Sequence, residues 1–266
     1  MNNNLTMKIH SETSQMAFMS ASPTRDDATR PIGQHALTDQ VVKLEHLELR
    51  VSPHMDRHTA ETLLGMRPLE QTEYGLAAEI IRPGQTVVDI GAGSAAWSLW
   101  VASLGARVET FEPSPLLCPV AQANLDANRC LPVEFHSRWA VVPSHQGGPV
   151  NLALPGHGYD AACVERYPRA GDPDVVPVPW LESAERLVRR IRPDAVFVET
   201  SGMACEIAMA IASVRHDRPR TLIARLRPDL EGEQSIRSAV EAIRGLGYSL
   251  RLDMPTMLWD GWIFEC

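Results

Sequence analysis

The sequence predicts an α/β fold: a doubly wound, mostly parallel sheet with helices on both faces and an antiparallel last strand. Three observations carry this. From Gln85 onward, short apolar runs suited to buried strands alternate with segments of helical period. A glycine-bearing turn joins the first such run to the helix behind it. The last two strand-like segments, 249–253 and 262–266, are too close together for a parallel crossover, so they pair antiparallel. Such alternation gives right-handed crossovers and two covered faces.

At 266 residues the chain is long enough for one large domain or two small ones. Lys and Arg number 25 against 33 Asp and Glu, a formal charge of −8. That balance argues against a nucleic-acid-coating protein, whose affinity comes from basic surface on phosphate. The composition, 44% apolar and 22% charged, excludes wholesale disorder. No apolar run has the length of a membrane span, and the polar start lacks the core of a secretory signal. Cys118, Cys130, Cys163, Cys205 and Cys266 are odd in number, and no two stand at a C-x-x-C spacing. Neither a disulfide framework nor a metal site is expected, and the expected location is the cytoplasm.

Residues 1–40 are polar and weakly periodic. They read as a mobile arm with a short helix around 16–19, or as a lid over a substrate. Residues 41–84 read as a strand and helix cap. Leu47, Leu49 and Val51 alternate within a strand at 44–51, and a helix over 59–81 is interrupted near Pro68. The main domain spans 85–266. Residues 86–90 fit a buried strand, and Ala96, Trp97, Trp100, Val101 and Leu104 follow at helical spacing up to a stop at Gly105. After a strand at 107–111, the next helix starts near Pro119, because a start at Ser114 would place that proline too deep. A third strand occupies 133–136. Residues 144–179 are loaded with Gly, Pro and His, and only 150–154 resemble a strand. Leu181, Ala184, Leu187, Val188 and Ile191 mark a helix, and 195–198 a strand. Met203, Ile207, Ala210, Ile211 and Val214 mark another helix, and 221–226 another strand. Ile236, Ala239, Val240, Ile243 and Leu246 mark the last helix, stopped by Gly245 and Gly247.

The sharpest local signal is Val87-Val88-Asp89-Ile90-Gly91-Ala92-Gly93-Ser94-Ala95, where a strand gives way to a helix. Two glycines let the chain turn tightly and let a ligand approach the backbone. The amides of the helix start face the same space. Glu112 ends the next strand, 23 positions after Asp89. An acid there accepts the ribose hydroxyls of an adenosine group. Ala96 holds the place of the third glycine in the dinucleotide fingerprint. Asp89, a carboxylate just before the glycines, repels a diphosphate but suits the ammonium of a methionine moiety. The pattern therefore favours S-adenosyl-L-methionine over NAD in a Rossmann-like sheet, and the antiparallel last strand points the same way.

Asp89-Ile90-Gly91-Ala92-Gly93, Phe111-Glu112-Pro113-Ser114-Pro115 and Trp139-Ala140-Val141-Val142 together resemble the class I S-adenosylmethionine-dependent methyltransferases of the FkbM type. That family reads roughly D-V-G-A-N-x-G, F-E-P-N-P and A-V-G. Trp180-Leu181-Glu182-Ser183 stands where it has T-L-D-D, and Val198-Glu199-Thr200-Ser201-Gly202 where it has I-D-V-E-G. Glu206 lies near a further family acid, and the Gly247-Tyr248 pair is also similar. The resemblance spans about residues 71–266. Gly93 replaces the family Asn, Ala95 its glycine, Ser201 its Glu, and Phe197 stands where Lys is usual.

The resemblance implies the class I methyltransferase fold and methyl transfer to an oxygen of a small molecule such as a secondary metabolite. Asp89, Gly91, Ala92 and Gly93 would hold the methionine end and Glu112 the ribose. Pro113 and Ser114 would border the adenine, with Ser137, Arg138 and Trp139 closing over it. Glu199 ends a strand on the same rim and, with His157 of the glycine-rich stretch, is a candidate catalytic residue. His136 is a further candidate base. His54 and His58, four apart, read as a possible ligand pair on a helix or as ordinary histidines. Trp97 and Trp100 read as core. Asp260-Gly261 reads as a hairpin turn between Trp259 and Trp262, and Arg186, Arg189, Arg190 and Arg192 as a solvated helix face. The expected partners are a small-molecule methyl acceptor and, as an open option, a second copy of the chain, with neither nucleic acid nor membrane. An NAD-dependent oxidoreductase and a non-catalytic scaffold of the same fold are the alternatives.

Overall fold

Buried strands of four to six residues, paired in parallel, build the sheet that positions the site. The computed structural model describes residues 9–10, 40–52, 54–55, 57–66, 72–144, 151–153, 163–165, 175–200, 202–255 and 260–266. Most of the arm at 1–40, including the helix expected at 16–19, lies outside them, as does His157.

The chain opens with β1 (Ile9–His10), β2 (Gln40–Leu44), β3 (Leu47–Val51), α1 (Arg57–Leu63) and α2 (Glu73–Ile80). The wound part follows with β4 (Thr86–Ile90), α3 (Ala96–Ser103), β5 (Arg107–Glu112), α4 (Cys118–Ala127) and β6 (Val133–Ser137). Short strands come next: β7 (Trp139–Val142), β8 (Asn151–Ala153), β9 (Cys163–Glu165), β10 (Val175–Pro177) and β11 (Trp180–Ser183), which runs into α5 (Ala184–Ile191). The chain closes with β12 (Ala195–Val198), α6 (Ala204–Ala212), β13 (Thr221–Arg225), α7 (Pro228–Glu231), α8 (Glu233–Gly245), β14 (Ser249–Pro255) and β15 (Asp260–Glu265).

Seven strands form one sheet in the order β14-β15-β13-β12-β4-β5-β6. Every pairing from β13 across to β6 is parallel, and β15 runs antiparallel to both its neighbours. This is the doubly wound sheet of the class I methyltransferase fold that the sequence predicts, with its last strand one place in from the edge. Val198 pairs with Ile90 and Ile90 with Phe111, so the carboxyl ends of β12, β4 and β5 share one rim. Crevices outside that rim are where such sheets bind ligands.

Successive residues face opposite sides of a strand, so each strand feeds two cores. Val88, Ile90, Val196 and Val198 pack with buried residues of α5, α6 and α8. Val87, Val108 and Phe197 pack on the other face with Trp97 and Trp100 of α3. Both tryptophans are core, as expected. Their indole N–H groups donate to the backbone carbonyls of Glu73 (3.3 Å) and Tyr74 (2.8 Å), tying α2 to α3.

The segment 44–51, expected as a single strand, is a hairpin. β2 and β3 turn at Glu45 and His46, with Glu45 at φ 53°, and β1 adds to the outer edge of β2. Leu44, Leu47, Leu49 and Val51 join the core of the second face. Two asparagines, Asn124 in α4 and Asn128 at its C-terminal cap, tie down the free edge of β3. Asn124 accepts the Arg50 N–H (2.6 Å) and donates to the Ser94 carbonyl (2.9 Å), and Asn128 accepts the Glu48 N–H (3.2 Å) and donates to the Glu48 carbonyl (2.8 Å).

Other elements differ from expectation. Leu181 is not in a helix but in β11, opposite Ala140 of β7, because the helix starts only where Ser183 Oγ accepts the Arg186 N–H (3.3 Å). Asp260 and Gly261 are not a turn. They open β15 opposite Pro255 and Met254, and the connection at 256–259 lies outside the described residues. α1 ends at Leu63 and α2 starts at Glu73, while Pro68 between them lies outside the described residues, and α4 does begin next to Pro119. The α5 arginines sit on an exposed face beside acids: Arg189 pairs with Glu185 and Arg190 with both Glu182 and Glu109. Among the described residues no helix is long and apolar enough to cross a membrane.

Asn124→Ala removes buried hydrogen bonds that hold the hairpin. The expected cost is about 2–3 kcal/mol, read as a lower urea midpoint at unchanged slope.

Candidate active site

The turn after β4 is shaped by backbone contacts on both sides. The amides of Gly91 and Ala92 both donate to the Phe111 carbonyl (2.9 and 3.0 Å), and the Glu199 amide donates to the Ile90 carbonyl (2.9 Å). Gly91 has φ +90°, and a Cβ there would lie 2.0 Å from the Glu199 carbonyl oxygen. The absence of a side chain at Gly91 is thus required by the neighbouring strand. Gly93, at φ +57°, differs, since a Cβ there would meet nothing within 4 Å. Ala95 also adopts a left-handed conformation, φ 60°, at the start of α3. Its methyl group stands where the resembled family has glycine.

Glu112 is the keystone of the turn. One carboxylate oxygen accepts the Gly93 N–H (2.6 Å) and the other the Ser114 N–H (2.7 Å). The side chain, 4% exposed, locks the turn after β4 to the turn after β5. Burial pushes its pKa up to about 7, the nearby Asp89 charge adds to that, and the two amides oppose it. Asp89 is fully buried and likewise pushed up to about 7 by burial, against the hydrogen bonds from Ser98 (2.5 Å) and Thr110 (3.5 Å) to its Oδ2. Both groups bind protons more tightly folded than unfolded. Their ionisation therefore lowers stability as pH rises from the unfolded values of 3.8 and 4.5 through about 7.

A cavity opens at this rim. Asp89, Gly91, Ala92, Gly93, Glu112, Pro113 and Glu199, all expected at the site, line it together. Asp89 Oδ1, Ser94 Oγ and Thr200 Oγ1 belong to lining residues, are buried, and have no hydrogen-bond partner among the described residues. Three such atoms around one cavity are the donors and acceptors a polar ligand needs. With the space beside Gly93, they fit the amino-acid end of a nucleoside cofactor.

Other expected residues stand elsewhere. Ser114 is buried and gives its amide to Glu112. Arg138 and Trp139 are not among the residues lining the cavity. Trp139 lies in β7, edge-on to Phe111 and stacked on the exposed Trp180 at 6.0 Å. Its register opposite Trp180 in the parallel β7–β11 pair holds it there. The His136 ring stacks on Phe111 at 4.3 Å and bonds Glu109 (3.2 Å), outside the cavity lining. His54 and His58 do not share a helix face. His54 precedes α1 and is exposed, whereas His58 is buried in α1 against Glu73 (2.8 Å).

Several lining residues escape sequence reasoning. Met55, Thr59, Glu73 and Tyr74 bring the N-terminal segment to the cavity wall, and no local motif marks them. Arg225 and Arg227 also line it, with Arg225 ion-paired to Glu199. The rule that pointed to Glu199, a strand end on the ligand rim, applies equally to Arg225 at the end of β13.

No family model matches the chain, and no curated protein matches it. Solved structures similar to it include precorrin-6y C5,15-methyltransferase from Geobacter metallireducens, at 16% identity and TM-score 0.41 over 72% of this chain and 85% of that one. An rRNA methylase from Streptococcus thermophilus has 12% identity and TM-score 0.41, covering 75% of this chain and 95% of that one. The tRNA (uracil-54, C5)-methyltransferase of Pyrococcus abyssi, in complex with S-adenosyl-L-homocysteine, has 12% identity and TM-score 0.46, covering 85% of this chain and 44% of that one.

The two glycines respond differently to one methyl group. Gly91→Ala should cost more than about 3 kcal/mol in thermal or urea unfolding, because backbone blocks the new atom. Gly93→Ala should cost only about 1 kcal/mol, the strain of its left-handed backbone.

Proposed function

We propose that the chain is an S-adenosyl-L-methionine-dependent methyltransferase that methylates an oxygen of a small molecule. The observation that carries this reading is the Glu112 carboxylate, fixed by two backbone amides at the mouth of a cavity whose other wall is the glycine turn. Each carboxylate oxygen keeps acceptor capacity beyond its amide, which suits a ribose diol. Asp89 Oδ1, Ser94 Oγ and Thr200 Oγ1 would meet the methionine end, and Pro113 would border the adenine.

When bound, the cofactor supplies an activated methyl group on a sulfonium. The protein's part is alignment and exclusion of water, and alignment alone is worth roughly 7–11 kcal/mol. Gly91, held against the Glu199 carbonyl, keeps the cofactor turn in register with the strand end that faces the acceptor. Glu199 would stand on the acceptor side, with His157 as a further acceptor-side residue. The two buried acids favour a cationic ligand over a diphosphate, which separates this reading from an NAD-dependent enzyme.

Isothermal titration tests it. S-adenosyl-L-homocysteine should bind and NAD should not, and Glu112→Ala should weaken binding roughly tenfold or more. Unchanged affinity in that variant, or binding of NAD alone, sinks the assignment. A ribose donates best to an ionised carboxylate, so affinity should rise between about pH 6 and about pH 8, as Glu112 loses its proton. A flat profile over that range contradicts the role given to Glu112.

A further inference from the structure

Away from the cavity, the β6 edge of the large sheet gathers a second set of ionisable groups. Glu109 of β5 stands opposite Glu134 of β6, and Phe111 stands opposite His136. Alternate residues share a strand face, so both glutamates and the histidine project to one side. His136 Nε2 lies 3.2 Å from Glu109 Oε2 and 3.7 Å from Glu134 Oε1. One ligand atom from each of the three residues lies within 4.8 Å of the other two. The imidazole is held in place by its neighbours: it stacks on Phe111 at 4.3 Å, 5° from parallel, with the Trp139 ring edge-on at 5.4 Å. Glu134 is 69% exposed, which leaves the group open to water at the sheet edge. Arg190 of α5 reaches the same place. Its Nη1 donates to Glu109 Oε2 (3.2 Å), while its Nε and Nη2 donate to the two oxygens of Glu182 (3.3 and 3.1 Å). Arg190 thus keeps a two-point partner of its own whatever else Glu109 binds.

An imidazole nitrogen and carboxylate oxygens are donors that zinc takes, at bond lengths of about 2.0–2.2 Å in a tetrahedral arrangement. Donor atoms around such an ion stand about 3.3–3.6 Å apart, the edge of that tetrahedron. The two separations measured from His136 Nε2 bracket this range. Carboxylates directly opposite each other on one sheet face repel, and a dication between them reverses the sign of that interaction. We propose that Glu109, Glu134 and His136 bind a zinc ion at the sheet edge, with water in the fourth position. A carboxylate has two oxygens and about four lone-pair sites, so Glu109 can ligate the ion and still accept from Arg190. Ligation uses the Nε2 lone pair, so the proton that bonds the glutamates leaves that atom. Magnesium, which wants six oxygens in an octahedron, does not suit an imidazole site of this size. The ion pins the edge strand β6 to β5, whose last residue is Glu112. The site stands apart from the cavity, since none of its three residues lines it. Spacing along the chain hides it, because Glu109 meets the β6 pair only through strand register.

The test titrates the full chain, stripped with chelator and kept reduced, with zinc sulfate and separately with magnesium chloride and cobalt(II) chloride. Calorimetry, the histidine ring-nitrogen resonances and the cobalt absorption spectrum are read. Saturable zinc binding is expected, with a shift of the His136 ring nitrogens and no binding of magnesium at the same concentration. Cobalt reports the donors: visible bands without a thiolate charge-transfer band mark nitrogen and oxygen ligands, whereas a thiolate band marks the exposed Cys130 or Cys266. His136→Gln and Glu134→Gln should each weaken zinc roughly tenfold or more, their melting midpoints serving as the check on folding. If His136→Gln does not fold, Glu134→Gln at its exposed position decides, together with the wild-type His136 shift. The proposal is overturned if the folded chain takes up no zinc, if binding leaves the His136 signals unmoved or survives Glu134→Gln at full strength, if magnesium binds as well, or if cobalt shows the thiolate band.

Discussion

A buried carboxylate that accepts two backbone amides from two different turns is the constraint on which the rest of the site depends. Taking Glu112 out of water is unfavourable, and burial raises its pKa. The Gly93 and Ser114 amides offset part of it, and in return both turns are fixed relative to the sheet rim. Glu112 therefore ties two turns of the sheet rim together with its two oxygens. The glycine turn gains rigidity from a side chain one strand away, not from its own sequence.

The alternation of apolar runs and helical segments made the wound sheet legible, as did the short link before the last strand. Asp89, the glycines and Glu112 were legible because they follow one another in a strand–turn–helix–strand unit, so spacing along the chain reports proximity. The rest of the cavity has no such local record. Glu73 and Thr59 reach it from the N-terminal segment, and Arg225 from a strand more than a hundred residues after the glycines. Only the order of strands in the sheet brings them together. The strand β7 was hidden because Trp139-Ala140-Val141-Val142 is too short to show a period, and its partner β11 merges into the apolar spacing of α5. Gly91 was legible as a glycine that matters, but its close neighbour, the backbone carbonyl of Glu199, is recorded in no local spacing.

The departures from the resembled family acquire a physical meaning in the fold. Phe197 stands where a lysine is usual, and its ring stacks on Trp97 at 4.3 Å within the core. A cation has no place in that stack, and the positive charge of this rim comes instead from Arg225 and Arg227, one strand further along. Ala95 keeps a left-handed backbone without glycine's freedom. Its buried methyl adds apolar contact under α3 at the expense of conformational strain.

The grip of α4 on β3 has a consequence for the order in which the newly made chain settles. Arg50 waits for Asn124, 74 residues later, and Glu48 for Asn128, 80 residues later. Until helix α4 has left the ribosome, the leucine face of the N-terminal hairpin has no finished surface to lie on. At ordinary synthesis rates of about 5–20 residues per second, that is an interval of several seconds. During it the hairpin is an unshielded edge of the kind that chaperones cover.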